Sequence, residues 1–546
     1  MPSPADFATH RVFNQPPSLQ DFDAYASDPV LRQCVAAGGA DGFAAALSAY
    51  GRLVGGELIA LGEEANRNRP RFEPYDRFGH RIDEVHFHPA YHRLMATAYA
   101  HGVHSLSWES EAPGRHVARA ALSYLHHQAE AGTSCPLTMT HAGIAVLRRE
   151  PDLEPYWLAG LTSRCYAPEL AVPADKPGLG LGMGMTEKQG GSDVRANTTV
   201  AHPCGGAEVA LVGHKWFFSA PMSDAFLVLA QEAAGLSCFL LPRVLPDGSR
   251  NALRLQRLKD KLGNWANASS EVEFQGAWAR RIGEPGRGVA TIIEMVALTR
   301  LDCMLGSAAE MRRAFIEALH HARHRQAFGR RLVDHALMQQ VLADLALESE
   351  AATRLAFRIA SAIDRAGNDP VEAALARIGT GIGKYWICRR APAVVNEAQE
   401  CLGGAGYIEE SLLARLYREA PLNSIWEGCG NIQCLDVLRA LAREPDAREA
   451  LLAVLGSQRG AHPAYAAALD GLERLLGLPP QELEARARWL VERLALLWQA
   501  ALLFEAGAPG AEAFCRSRLG GEGGRALGTL PAGLPLPGWL DAAFPA

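Results

Sequence analysis

Met185-Thr186-Glu187-Lys188-Gln189-Gly190-Gly191-Ser192-Asp193 is a polar, glycine-rich stretch that leads towards a strand-rich region. Its backbone amides, and the hydroxyls of Thr186 and Ser192, suit a bound ring cofactor that carries phosphate. More than 230 residues later comes Ile425-Trp426-Glu427-Gly428-Cys429-Gly430-Asn431, a single carboxylate set after an aromatic residue and before a glycine. A helical pattern begins there. Two such stretches in this order say more than either alone.

Working outward, the regions before and after these stretches differ in period. Residues up to about 180 look helical after an extended, proline-rich start, with apolar spacing of three and four over His92–Ala100 and Gly114–Glu130. Short strand-like runs follow: Glu208–Val212, Ala225–Ala230, Ser237–Leu241 and Glu271–Phe274, with turn residues such as Asp247-Gly248 between them. Thr299–Arg323, Met338–Ala366 and Pro370–Glu400 each suit a long helix of a bundle. Ala464–Leu476 and Pro480–Ala506 read as two further helices, with a Gly/Pro-rich end from Gly520. The expected organisation is mainly α with a central β domain. Its parts are a helical domain over 1–182, a β domain over 183–290, a helical bundle over 291–446 and an extra helical tail over 447–546.

Bulk properties exclude some classes. The 546 residues are 48% hydrophobic and 21% charged, which is ordinary for a globular chain with a sizeable core. A net charge of -6 gives no global attraction to nucleic acid or an anionic membrane. Only six of the 54 basic residues are lysines, at 176, 188, 215, 259, 261 and 384, so the arginine excess reads as coding bias. The 11 cysteines form no CxxC pair and read as reduced thiols of a cytoplasmic protein. The N-terminus carries no signal pattern, and no run of about 18 uncharged apolar residues suggests a membrane span. The histidines at 86, 88, 92, 126, 127, 320, 321 and 324 complete no recognised ligand spacing, so no metal is expected.

The order of segments resembles the acyl-CoA dehydrogenase superfamily. Gly182–Asp193, Gly213–Ser219, Arg257–Asn264, Leu422–Ile432 and Phe13-Asn14-Gln15-Pro16 are similar to its AidB branch, and the likeness weakens only after about residue 450. The resemblance implies the acyl-CoA dehydrogenase fold, FAD as cofactor and a tetramer. It also implies removal of a proton and a hydride from the α and β carbons of an acyl-CoA. Met183, Met185, Thr186, Gly191 and Ser192 would line the flavin. Trp216, Phe217 and Phe218 would give it a flat apolar wall, and the Ser219 hydroxyl would meet flavin N5.

Arg325 would reach the pyrophosphate of an FAD held mainly by a neighbouring subunit, a role that suits a guanidinium. Phe328, and Gly403 and Gly404 at the adenosine end, would complete that contact, with Ile425, Trp426, Gly428 and Asn431 beside the ring. Glu427 matches the family's base. Some members hold the base one residue before a helix arginine; here that arginine is Arg300 and the preceding residue is Thr299, which cannot serve. Trp426 stands where tyrosine is usual and adds bulk, which favours short or branched acyl chains. Glu400 and Ala336 stand where many members have glutamines.

Three functions stay open. The first is a dehydrogenase passing electrons to an electron-transfer flavoprotein, and the second is an acyl-CoA oxidase. The third is a flavoprotein that binds and shields double-stranded DNA in the response to alkylation damage, as the AidB likeness implies, with the tail as candidate DNA-binding region. The tail has nine arginines and ten carboxylates, a net -1, with Arg486, Arg488, Arg493, Arg516 and Arg518 as candidate contacts.

Overall fold

A computed structural model describes residues 8–545. The N-terminal region folds as α1 (Pro29–Ala37), α2 (Ala44–Val54), α3 (Glu57–Arg67), strands β1 (Arg71–Tyr75) and β2 (Arg81–His86), then α4 (Pro89–Ala100), α5 (Leu106–Glu109), α6 (Arg115–Ala129), α7 (Ser134–Leu147) and α8 (Pro155–Thr162). The antiparallel β1–β2 hairpin corrects the all-helical expectation for this region. Its turn is set by Asp76, whose carboxylate accepts from the amides of Phe78 and His80, and by Gly79 at φ +87°.

The middle region is a sheet of β3 (Leu181–Gly184), β4 (Val200–Gly205), β5 (Glu208–Ser219), β6 (Ala225–Glu232), β7 (Gly235–Pro242), β8 (Leu253–Leu258) and β9 (Ser269–Ile282). Pairings β6–β7, β7–β9, β9–β5, β5–β4 and β4–β6 close it into a ring, with β3 parallel to β6 and β8 on β9. β6 shows why its sequence is a continuous apolar run. Phe226, Val228 and Ala230 fill the inside of the ring, while Ala225, Leu227 and Leu229 pack outward against α7.

The bundle has α9 (Gly288–His324), α10 (Ala336–Arg365), α11 (Pro370–Cys401), α12 (Leu412–Glu419) and α13 (Gly430–Arg443). Beyond it lie α14 (Pro445–Gly456), α15 (Pro463–Leu476), α16 (Pro480–Ala485), α17 (Ala487–Glu505), α18 (Ala511–Phe514) and α19 (Leu536–Ala543). The single helix expected over Pro480–Ala506 is broken at Arg486, whose φ of -104° and ψ of 11° leave the helical region. A short helix also interrupts the Gly/Pro-rich end.

The tail is not an appendage. α17 packs on α10, α11 and α13, and its Leu494, Leu497 and Trp498 belong to the main core. Trp498 is buried against Gly379 of α11, where a Cβ would come within 2.9 Å of the indole. Trp498→Ala should therefore lower unfolding free energy by about 3–5 kcal/mol, the usual cost of emptying a large core site. Chemical denaturation of the full chain measures it.

Candidate active site

The Met185–Asp193 loop is held in place from beneath. Glu187 is buried, and its carboxylate accepts from Lys215 Nζ at 2.9 Å, from the Thr198 amide at 2.7 Å and from Thr199 Oγ1 at 2.6 Å. Lys215 also donates to Leu229 O at 2.8 Å. Burial raises the carboxyl's proton affinity, but Lys215 and these donors outweigh it and hold Glu187 well below the usual carboxylate range. Trp216 N donates to Thr186 O at 2.8 Å, so the loop is sewn to β5. Gly191 is small of necessity, because a Cβ there would stand 2.3 Å from Thr186 Oγ1. Glu187 was not singled out from the sequence; its role depends on contacts to distant strands.

Along β5 the expected wall divides. Phe218 points into the ring and stacks on Phe226 with centroids 4.2 Å apart, so it is a core residue rather than part of a flavin wall. Strand alternation, with an irregularity between Lys215 and Phe218, turns it inward. Phe217 stays 51% exposed and Trp216 is half-buried, with Lys259 Nζ 3.2 Å from the indole centroid. Ser219 Oγ lies 3.1 Å from Ser269 Oγ. Lys261 donates to Ser269 Oγ at 3.2 Å and to Asn267 O at 2.6 Å, and burial lowers its pKa to about 8. The sequence reading missed Lys261, Asn267 and Cys135, which sit beside Ser219.

Glu427 lies in the turn before α13, half-buried, with φ at +58°. Thr299 Oγ1 donates to its Oε2 at 2.7 Å. Its backbone carbonyl accepts from Arg300 Nε at 2.9 Å and Gln433 Nε2 at 3.1 Å. Lys384 Nζ donates to the flanking carbonyls, Trp426 O at 2.7 Å and Gly428 O at 2.5 Å. The Glu427 amide donates to no other described residue. Burial raises the carboxyl pKa above the ordinary value; the Thr299 bond, Lys384 and Arg300 temper the rise. Lys384 and Gln433 escaped sequence reasoning, although Lys384's rarity in a lysine-poor chain was a signal.

Trp426, Met183 and Met185 pack in one apolar cluster with Cys135, Met139 and Met295. Phe217, Ile425 and Phe328 are apolar and exposed, at 51%, 63% and 96%. Arg325 is tied to the N-terminal segment, donating to Asn14 O at 2.7 Å, and the hairpin that follows exposes Phe328. Gly403 and Gly404 begin an exposed turn where a Cβ would meet open space. Among the described residues no hydrogen bond joins Arg325–Gly329 or Gly403–Gly406 to the 183–192 loop. Asn431 is in the first turn of α13, and Ser192 and Gly191 are exposed at the loop tip. The apolar side chains of Met183, Met185 and Trp426, with the hydroxyls of Thr186 and Ser192 on the loop, fit a flat polar-edged ring. Glu400 and Ala336 are both exposed.

The descriptions Adaptive response protein AidB N-terminal domain, Acyl-CoA dehydrogenase middle domain and Acyl-CoA dehydrogenase C-terminal domain match residues 14–168, 182–277 and 286–442. AidB of Escherichia coli (strain K12) is 48% identical over 94% of this chain and 95% of its own length. The chain belongs to the AidB branch of the acyl-CoA dehydrogenase superfamily. Acyl-CoA dehydrogenase family member 11 of Caenorhabditis elegans is 32% identical over 73% of this chain and 67% of its own. The crystal structure of that nematode protein with C11-CoA has a TM-score of 0.86 at 28% identity, covering 94% of this chain and 93% of the other. An acyl-CoA dehydrogenase of Bacillus anthracis complexed with FAD shares the fold, with a TM-score of 0.64 at 18% identity over 79% and 81% of the two chains. The superfamily uses FAD, and this chain is an acyl-CoA dehydrogenase-like oxidoreductase.

Thr299, one residue before Arg300, hydrogen-bonds the carboxylate of Glu427 through its side chain. Among the described residues no cluster of three His, Cys, Asp or Glu side chains could hold a metal. No single described helix is long and apolar enough to cross a membrane.

With Glu427 as the proposed base, which acts when ionised, flavin reduction by substrate should rise with pH through a pKa above the usual carboxylate value. Thr299→Val removes a hydrogen bond to the charged form and should move that limb upward by about 0.5–1 pH unit. Stopped-flow reduction against pH reads the shift; an unmoved limb would separate Thr299 from the base.

Proposed function

We propose that the chain is a cytoplasmic flavoenzyme that oxidises short or branched acyl-CoA thioesters between the α and β carbons, with Glu427 as base. The observation that carries this reading is the fixed Glu427 peptide, which sets a desolvated carboxylate and a free backbone N–H side by side. Glu427 takes the proton from the α carbon. Its amide N–H, donating to no other described residue, polarises the thioester carbonyl and so acidifies that carbon. Thr299 keeps the carboxylate aimed, and the Trp426–Met185–Met139 cluster excludes water.

When bound, FAD supplies the hydride acceptor. Met183, Met185, Thr186, Gly191, Ser192, Trp216, Phe217 and Ser219 would hold it from this subunit, with Ile425, Trp426, Gly428 and Asn431 beside the ring. Arg325, Phe328, Gly403 and Gly404 would serve the FAD of a neighbouring copy, which supports a homotetramer. Phe328, Leu337 and Tyr407, exposed at 96%, 83% and 81%, offer apolar surface for that assembly. An electron-transfer flavoprotein is the proposed electron acceptor, with oxygen, and hence oxidase activity, as the alternative.

A DNA-binding tail has less support. Arg518 is committed to Asp344 and to Glu348, at 3.0 Å from the latter, and Arg516 to Glu522 at 2.6 Å. Arg486, Arg488 and Arg493 of the five candidates form no salt bridge with another described residue, and Arg486 and Arg488 are exposed. A protecting role in alkylation damage would need a positive face elsewhere on the assembly.

The purified protein should release FAD, not FMN, on denaturation. Glu427→Gln should keep FAD bound while slowing anaerobic flavin bleaching by butyryl- or isobutyryl-CoA by about 10²-fold or more. Unchanged bleaching would assign the proton to another group. Trp426 and its neighbours should make these substrates faster than C11-CoA; the reverse order would overturn the chain-length part of the reading.

A further inference from the structure

A pocket of about 220 Å³, open to solvent on one side, lies between α4, β2, the 166–180 connection and the 220–224 turn. Phe87, Tyr91, Met95, Tyr99 and Tyr166 form one wall, and the charged side chains of Arg243, Asp224 and Glu84 also line it. Phe87 and Tyr91 stack at 4.1 Å between centroids, and His92 Nδ1 shares a 2.9 Å hydrogen bond with the Tyr166 hydroxyl. Neither Glu427 nor the 183–192 loop lines it. α7 separates the two regions, offering Pro136 to this space while Cys135 and Met139 face the Trp426 cluster.

Arg243 stands where this space meets a smaller one that also contains Arg81, Arg250 and Arg254. Its Nη1 donates to Met222 O at 2.7 Å, and among the described residues no carboxylate forms a salt bridge with it. The nearby acids are taken. Asp224 accepts from Lys176 Nζ at 2.6 Å and from the Gly180 amide at 2.8 Å. Glu84 pairs with Arg250 at 2.9 Å and Asp83 with Arg81 at 2.9 Å. Glu169, near His92, is exposed and screened by solvent. Burial lowers the Arg243 pKa to about 10, which leaves it cationic at neutral pH. A charge drawn out of water normally has a partner of opposite sign. Arg243 is half-buried and lines this pocket without such a salt bridge among the described residues.

We propose that this cavity binds a small organic carboxylate with an aromatic or medium-chain alkyl body, its head group paired with Arg243 and its body against Tyr91, Met95 and Tyr99. The volume is below the ~300–1,000 Å³ of drug-sized pockets, which suits one ring or one short chain. The site is distinct from the flavin cleft and requires no chemistry.

Octanoate is the probe, titrated calorimetrically into the FAD-loaded full chain. One octanoate should bind per subunit without changing the flavin spectrum, and butyryl-CoA should not displace it. Arg243→Gln should weaken binding by about tenfold or more, since the lost contact is charge-assisted. Octanol, which lacks the charge, should bind the wild type and Arg243→Gln alike. Ala167→Trp fills the half-buried wall and leaves Arg243 intact, so it should abolish binding even if the arginine variant fails to fold. Absence of binding at millimolar octanoate, equal binding by wild type and Ala167→Trp, or displacement by butyryl-CoA would each overturn the proposal.

Discussion

Three side chains from three helices hold the backbone of residues 426–428, and the chemistry of the cleft depends on that grip. Arg300 comes from α9, Lys384 from α11 and Gln433 from α13. Between them they occupy the carbonyls of Trp426, Glu427 and Gly428. A residue other than glycine at φ +58° is strained by roughly 1–3 kcal/mol, so the turn persists because its surroundings over-determine it. The grip needs the helices to come close. Gly379 and Gly383 provide this on α11, where a Cβ would stand 2.9 Å from Trp498 and 2.4 Å from Met304. The tail helix α17 thus takes part in building the site, by filling the space behind α11.

The other half of the cleft obeys the same logic with different chemistry. A glycine-rich loop has few side chains with which to fix itself, so the protein anchors it through Glu187 and Lys215. A buried pair of this kind contributes little net stability against an apolar replacement, but breaking it strands a charge. Its value is positional: it locks the loop to β5, and the same lysine reaches β6 through Leu229 O. The loop and the 426–428 turn are each fixed by buried polar contacts, and Met183, Met185 and Trp426 join them in one apolar cluster, the kind of rigidity that holding reactants in register requires.

Much of this was legible in sequence because it is local. The strand runs, the three long helices and the two cleft segments all carry their signal within a few residues, and the family likeness ordered them. Long-range contacts were not legible. Arg518 and Asp344 are 174 residues apart, and nothing in the tail's charge count shows that this arginine is spent on α10. Phe218 looked like its aromatic neighbours, yet the pleat and a strand irregularity turn it inward. The β1–β2 hairpin was hidden by the helical context on both sides, although Asp76 and Gly79 marked its turn. Lysine scarcity, read only as coding bias, carried more than that. Where arginine is the default cation, Lys215 and Lys384 persist at buried points that ask for a compact ammonium rather than a planar fork.

The bond between Thr299 and Glu427 also bears on how this fold changes over evolutionary time. The two side chains meet at 2.7 Å although their backbones belong to different elements. A carboxylate grown from position 299 would arrive close to where the present one sits. Position 427, being left-handed, would accept glycine with relief rather than strain. The fold thus has two seats for one carboxylate, at 299 and at 427, whose side chains already meet. The surrounding helices need not be rebuilt for the exchange, which makes the position of that group a more labile character than the architecture that holds it.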